Sequence, residues 1–98
     1  MTYKLAFLPS ALREWAKLDG SIKTQFKHKL AERLAHPHVP AAALRGIQNA
    51  YKIKLRQVGF RLVYKVDDGL ITVTVVAVGK RDKNAVYVQA MARMEDEA

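Results

Sequence analysis

The chain has 98 residues, no cysteine and a formal net charge of +8, and half of its residues are hydrophobic. That length supports one domain, spanning 1–98, with a single core and little surplus stability. The hydrophobic fraction excludes a disordered chain; the missing cysteine excludes a disulfide framework, a thiolate zinc site and a cysteine nucleophile, and suits a reducing cytoplasm.

The apolar run near the N-terminus is too short for a signal peptide. Residues 2–8 alternate loosely and stop at Pro9, which predicts a first strand. Ser10 is placed to cap a helix carrying Leu12, Trp15, Ala16 and Leu18, ended by Asp19-Gly20. Ser21 is placed to cap a second helix, whose stripe Ile22, Phe26, Leu30, Leu34 recurs once per turn, with Lys23, Lys27 and Arg33 off it. Pro37 stops that helix. After a loop through Pro40 and Gly46, residues 50–57 alternate strictly between apolar and basic or polar positions, which predicts a strand with one buried face. Val58-Gly59 supplies a turn, residues 60–66 a third strand, and Asp67-Asp68-Gly69 another turn. Residues 70–78 are apolar or Thr on both faces, as expected of a strand near the sheet centre. That run is interrupted by Thr72, Thr74 and Gly79 and is too short to span a bilayer. From Lys83 to about Met94 a short terminal helix is predicted, with Val86, Ala90 and Met94 on one side and few contacts to hold it. The order is strand, two helices, three-stranded meander, helix. This is an α+β arrangement, mainly antiparallel, with a helical pair on one sheet face and the other face open.

Charge is segregated along this layout. No acidic residue occurs between Glu32 and Asp67, whereas Arg33, Arg45, Lys52, Lys54, Arg56, Arg61 and Lys65 all fall there. If Val58-Gly59 centres the hairpin, Arg56 faces Arg61, Lys54 faces Val63 and Lys52 faces Lys65, all on one side of the sheet. Tyr51, Ile53, Leu55, Leu62 and Tyr64 form the other, core side. An odd-length loop would drive the cations into that core, so the pattern selects an even one. Exposed lysines also protect a strand edge and keep a protein soluble. Arginine opposite arginine is repulsive when unpartnered, however, and this points to a polyanionic partner. Lys80-Arg81 extends the charge, and Tyr87 adds an aromatic ring at its margin. Cations for phosphates and a ring for a base suit single-stranded RNA. The β-pattern of the cations argues against a membrane surface.

Other candidate chemistry is thinner. His36-Pro37-His38 has no third ligand nearby in sequence, and zinc needs three or four; Asp67-Asp68-Gly69 is more simply a hairpin turn than a magnesium pair. No metal site and no cofactor motif is predicted.

Leu44-Arg45-Gly46, then Tyr51-Lys52-Ile53-Lys54-Leu55-Arg56, Gly59-Phe60-Arg61-Leu62-Val63-Tyr64 and Val78-Gly79-Lys80-Arg81 closely resemble the RelE toxins of bacterial toxin–antitoxin systems. Trp15-Ala16-Lys17-Leu18 and Val86-Tyr87 extend the resemblance over nearly the whole chain. It implies a compact α+β sheet with a helical pair, entry into the ribosomal A site, messenger RNA cleavage there, and inhibition by a cognate RelB-like antitoxin. Carried over by position, the catalytic set is Lys52, Lys54, Arg61, Arg81 and Tyr87, with Arg45, Arg56, Lys65 and Lys80 holding RNA or the ribosome. The departure is the acidic end, Met94-Glu95-Asp96-Glu97-Ala98, which is able to lie over the basic face and weaken RNA binding.

Metal-free cleavage needs a base for the 2′-OH, charge for the phosphorane and an acid for the leaving 5′-oxygen. Lys54, crowded by Lys52, Arg56 and Arg61, is expected to have a depressed pKa and serve as base. Arg61 stabilises the phosphate, Tyr87 stacks on a base or orients the 2′-OH, and Arg81 is the candidate acid, although a guanidinium is a poor proton donor. Two rivals stay open: a non-enzymatic topoisomerase poison of the ParE type, and a plain RNA-binding module.

Overall fold

Strands β1 (Lys4–Phe7), β2 (Ala50–Leu55), β3 (Phe60–Asp67) and β4 (Thr72–Lys80) make one mixed sheet in the order β1-β4-β3-β2. The computed structural model describes residues 2–82 and 84–96. β1 runs parallel to β4, and β2, β3 and β4 form the expected antiparallel meander. β4 is an interior strand, which its apolar character on both faces requires.

Helices α1 (Pro9–Ala16) and α2 (Gly20–Ala35) pack on one face. Their caps differ from the expected ones. Leu8 is the N-cap of α1, with Pro9 in the first turn and no side-chain bond, so Ser10 lies inside the helix. Asp19 caps α2, its carboxylate accepting from the Ser21 backbone N–H. A carboxylate caps better there than the hydroxyl, because it also meets the positive end of the helix dipole. The α2 stripe behaves as predicted: Ile22, Phe26 and Leu30 are buried against Tyr51, Ile53, Leu62, Tyr64, Val73 and Val75. On α1 it is Ala11 that is buried, while Leu12 faces solvent.

The second face is not left open. Helix α3 (Ala85–Asp96) lies across it, and Val86 and Ala90 close over Val63, Val76 and Ala77. A β-bulge makes this patch: Val63 pairs with Ala77 but Tyr64 with Val75, so Val76 is an extra residue. Both Val76 and Ala77 thereby join the second cluster. Leaving Val63 and Val76 in water would cost roughly 1.5–3 kcal/mol each, which the terminal helix recovers. Val86, Ala90 and Met94 form its packed side, as the spacing predicts. The helix also has a polar anchor beyond the few contacts expected: Arg93 makes a bidentate pair with Glu14 of α1 at 2.8 and 3.0 Å.

The β2–β3 register is shifted by two residues from the predicted one. Residues 56–59 form a four-residue loop, with Leu55 opposite Phe60, Lys54 opposite Arg61, Lys52 opposite Val63 and Ala50 opposite Lys65. Gly59, at φ 71°, takes the left-handed conformation that closes the loop, and its N–H donates to Leu55 C=O. The loop is even, so the faces are as predicted, but Arg56 sits in the turn and does not oppose Arg61.

β2 is an edge strand, and its outer side is partly closed. Leu44 N–H donates to Ala50 C=O, Ala43 bridges Tyr51, and the Arg33 guanidinium donates to Lys52 C=O at 3.2 Å. Arg33 also donates to the buried Tyr64 hydroxyl at 2.9 Å, and that hydroxyl donates to Pro37 C=O. Burial raises the pKa of Tyr64.

Candidate nucleic-acid interface

Strand alternation and the even loop bring Lys52, Lys54 and Arg61 onto the face that carries Val63, each of them half-buried. α3 crosses the same face and delivers Tyr87 to this group. The Arg61 guanidinium carbon lies 5.4 Å and Lys52 Nζ 5.9 Å from the ring centroid, so two cations lie against one aromatic ring. Arg61 Nη1 also donates to the Tyr87 hydroxyl at 3.2 Å. Opposite Arg61 in the sheet is Gly79, over which Val86 sits closely, since a Cβ at Gly79 would lie 3.5 Å from Val86 Cγ2.

Arg81 follows β4, and its N–H donates to Gly59 C=O at 2.6 Å. The loop tip and the end of β4 are thus tied together, and Arg56 and Arg81 both lie within electrostatic reach of Lys54. The Lys54 pKa is depressed, first by the positive charge of Lys52, then by loss of solvation, then by Arg61, Arg56 and Arg81. None of Lys52, Lys54, Arg61 or Arg81 has a carboxylate partner among the described residues.

The remaining cations are distributed around this centre. Arg45, in the loop before β2, lines a cleft of about 330 Å³ with Leu44, Lys52, Tyr87 and Met91. Arg56 lines another of about 270 Å³ with Arg33, Lys52 and Lys54. Lys65 shares the face but lies at the far end of β3, opposite Ala50. Lys80 stands opposite Phe60, on the side of Leu62 and Val78, and so is not brought to the group around Tyr87. The apolar walls Leu44 and Met91 were not singled out by sequence; an isolated Leu in a loop and a Met on a terminal helix carry no periodic signal. Arg33, counted with the free cations by charge alone, is committed to Lys52 and Tyr64.

The histidine and aspartate candidates serve structure. The Asp68 carboxylate accepts from the Tyr3 hydroxyl at 2.6 Å and from His38 Nε2 at 2.9 Å, leaving His38 Nδ1 2.8 Å from the Tyr51 hydroxyl. The Tyr3 and His38 bonds lower the Asp68 pKa. Asp67 accepts from Leu70 N–H and shapes the turn. Among the described residues no three His, Cys, Asp or Glu side chains converge. Of the acidic end, Glu95 is exposed on α3, whereas Glu97 and Ala98 lie outside the described residues.

A family model described as the ParE toxin of the type II system parDE matches residues 5–85. An Escherichia coli protein named as a putative RelE-like toxin is 52% identical over 94 residues, covering 96% of this chain and 99% of its own. The mRNA interferase toxin RelE of E. coli K12 is 47% identical over 94 residues, with the same coverage of 96% and 99%. A mutant of E. coli RelE in the free state superposes with a TM-score of 0.88 at 46% identity, over 96% of this chain and 99% of that one. RelE from the intact E. coli RelBE toxin–antitoxin complex gives 0.79 at 47% identity, over 83% and 99%. The chain belongs to the RelE/ParE toxin family.

Proposed function

We propose that this protein is the toxin of a toxin–antitoxin pair and a ribosome-dependent endoribonuclease, cutting messenger RNA in the ribosomal A site and so inhibiting translation in the cytoplasm. The observation that carries the reading is the union of Lys52, Lys54, Arg61 and Tyr87 on one face, without a carboxylate partner among the described residues. Its relatives' designation as mRNA interferases supports it. In the reaction, neutral Lys54 takes the 2′-OH proton, and the freed 2′-oxygen attacks the adjacent phosphorus. Arg61 and Lys52 offset the charge of the phosphorane and Tyr87 stacks on the neighbouring base; the P–O5′ bond then breaks, Arg81 gives a proton to the departing 5′-oxygen, and the phosphate is left as a 2′,3′-cyclic diester. The lysine field acts in the useful direction, because like charge favours the neutral amine that a base requires. Arg45, Arg56, Lys65 and Lys80 hold phosphates of the message or of ribosomal RNA. No cofactor takes part.

A RelB-like antitoxin is the partner that keeps the toxin inactive, either by covering the cationic face or by taking the place of α3. Related RelE chains have been solved with RelB. A structure of the complex in which the partner touches neither region would contradict this.

The ParE description of the matching family model favours one second reading, poisoning of a DNA topoisomerase. Both are tested by adding the protein to a reconstituted translation reaction and, separately, to a supercoiling reaction. Message cut only when ribosomes are present supports the nuclease; intact message with blocked supercoiling supports the poison. Binding of RNA with neither effect leaves a plain RNA-binding module.

A further inference from the structure

The Glu14–Arg93 pair lies outside the cationic face, and nothing in the proposed chemistry uses it. Its geometry is nevertheless more elaborate than a surface ion pair. Arg93 reaches both carboxylate oxygens of Glu14 and also donates to Val76 C=O at 2.8 Å, while Glu14 Oε1 accepts from Val78 N–H at 3.3 Å. Both side chains are about three-quarters withdrawn from solvent, at 23% and 25% exposure. β1 leaves the sheet after pairing Phe7 with Val75, so the next groups of β4 on that side have no strand partner. The ion pair supplies the missing donor and acceptor at the bulge, joining α1, β4 and α3 at one point.

That point is placed to control the roll of α3. The helix meets the sheet through the buried Val86 and Ala90, with Tyr87 and Met94 packed partly against the same cluster. At roughly 100° per residue, Arg93 lies about 20° to one side of Val86 around the axis and Tyr87 about 100° to the other. The two residues therefore lie at opposite edges of the packed side, Tyr87 within it and Arg93 just beyond it. Apolar contact of this kind has no direction of its own, whereas a bidentate ion pair at one edge does, and it fixes the roll that sets the other edge. A tyrosine hydroxyl stands about 9 Å from a helix axis, so a roll of about 10° moves it by about 1.5 Å. A shift of that size breaks the 3.2 Å bond from Arg61 and moves the ring off its contacts with Arg61 and Lys52.

We infer that Glu14 and Arg93 are positioning residues for Tyr87: their ion pair at the β4 bulge sets the roll of α3 and thereby holds the tyrosine ring in the RNA-cleaving site. The inference rests on Tyr87 acting in that site.

The test is a double-mutant cycle on single-turnover message cleavage, with toxin saturating over programmed ribosomes so that affinity drops out. Arg93→Gln is expected to lower the saturated rate by about tenfold or more, within the hundredfold that a 1 Å misplacement is able to cost. The half-saturating toxin concentration should change by less than about twofold, because no phosphate contact is lost. Tyr87→Ala alone should be slow, and adding Arg93→Gln to it should slow it no further than about twofold. Thermal unfolding, with amide exchange at Val86 and Ala90, identifies a variant whose helix has simply detached; Arg93→Lys, which keeps charge but not the fork, then replaces it in the cycle. If Arg93→Gln or Arg93→Lys slows cleavage equally with and without Tyr87, or leaves the rate unchanged, the positioning role is wrong. If Tyr87→Ala itself cuts at the wild-type rate, it is the assignment of Tyr87 that has failed.

Discussion

Replacing Lys54 with Ala separates catalysis from grip. Lys54 lies in β2 with its backbone in the ladder to Arg61, and among the described residues its half-buried side chain has no bonded partner whose loss would unfold the strand. The substitution removes one cation from a surface where Lys52, Arg56, Arg61 and Arg81 remain close by. For a positioned acid–base group the loss is about a hundredfold or more in the saturated single-turnover rate. The companion variant, Arg45→Ala, removes a cation from the cleft beside Tyr87 and Met91. It should bind ribosomes more weakly and cut at a near-normal rate once saturated. Each lost single-strand phosphate contact flattens the slope of log K against log salt by about 0.7, so raising salt from about 50 to about 200 mM should weaken Arg45→Ala roughly 2.6-fold less than wild type. The assay is cleavage of a labelled message on A-site-programmed ribosomes across toxin concentration. Should Lys54→Ala cut at the wild-type rate at saturation, Lys54 is an anchor only, and the role of base passes to Lys52 or Tyr87.

Three further outcomes are expected. Replacing Asp67, Asp68 and Asp82 together by Asn should leave cleavage at neutral pH within a few-fold of wild type; abolished cutting would show that an ion held by these carboxylates is required. Asp68 has a folded-state pKa below its ordinary value, so its bonds to Tyr3 and His38 contribute stability above the unfolded carboxylate pKa of about 3.9, and that contribution is lost as pH falls through the lower folded value. Urea midpoints for Asp68→Asn should therefore converge on wild type below that range and diverge above it. Phe26, fully buried beneath the sheet, should cost about 3–5 kcal/mol on replacement by Ala, read as a fall in the denaturation midpoint.

The sheet, its helical pair and the cationic side of β2 were legible because period-two and period-3.6 patterns state directly which side chains face the core. Lys52, Lys54 and Arg61 came together through parity alone. A register error of two residues leaves parity untouched, which is why the face was right while Arg56 was misplaced opposite Arg61. The loop length depends on where Gly59 adopts a positive φ, and two candidate loops of equal parity look alike in sequence. The bulge at Val76 is invisible for a related reason. From Val75 to Val78 the strand is wholly apolar and no polar residue marks where alternation slips, so the second hydrophobic patch, and with it the cover by α3, has no sequence signature. The Glu14–Arg93 pair spans most of the chain and leaves no local pattern. Neither did Arg33: on a basic helix nothing distinguishes the one guanidinium that turns inward to Lys52 and Tyr64 from those that face water.

The closure of the outer side of β2 has a consequence for association. An edge strand with free carbonyls is a template for another chain's backbone, and a short strand of alternating apolar residues is a site where proteins aggregate or borrow strands. At Ala50 and Lys52 those carbonyls are already taken, by Leu44 N–H and the Arg33 guanidinium. The most cationic strand in the molecule is therefore unable to recruit a copy of itself, or any extended peptide, by strand addition along that stretch. Recognition there runs through side chains and electrostatics, and this suits a surface meant for a flexible phosphate backbone, which has no ladder to offer.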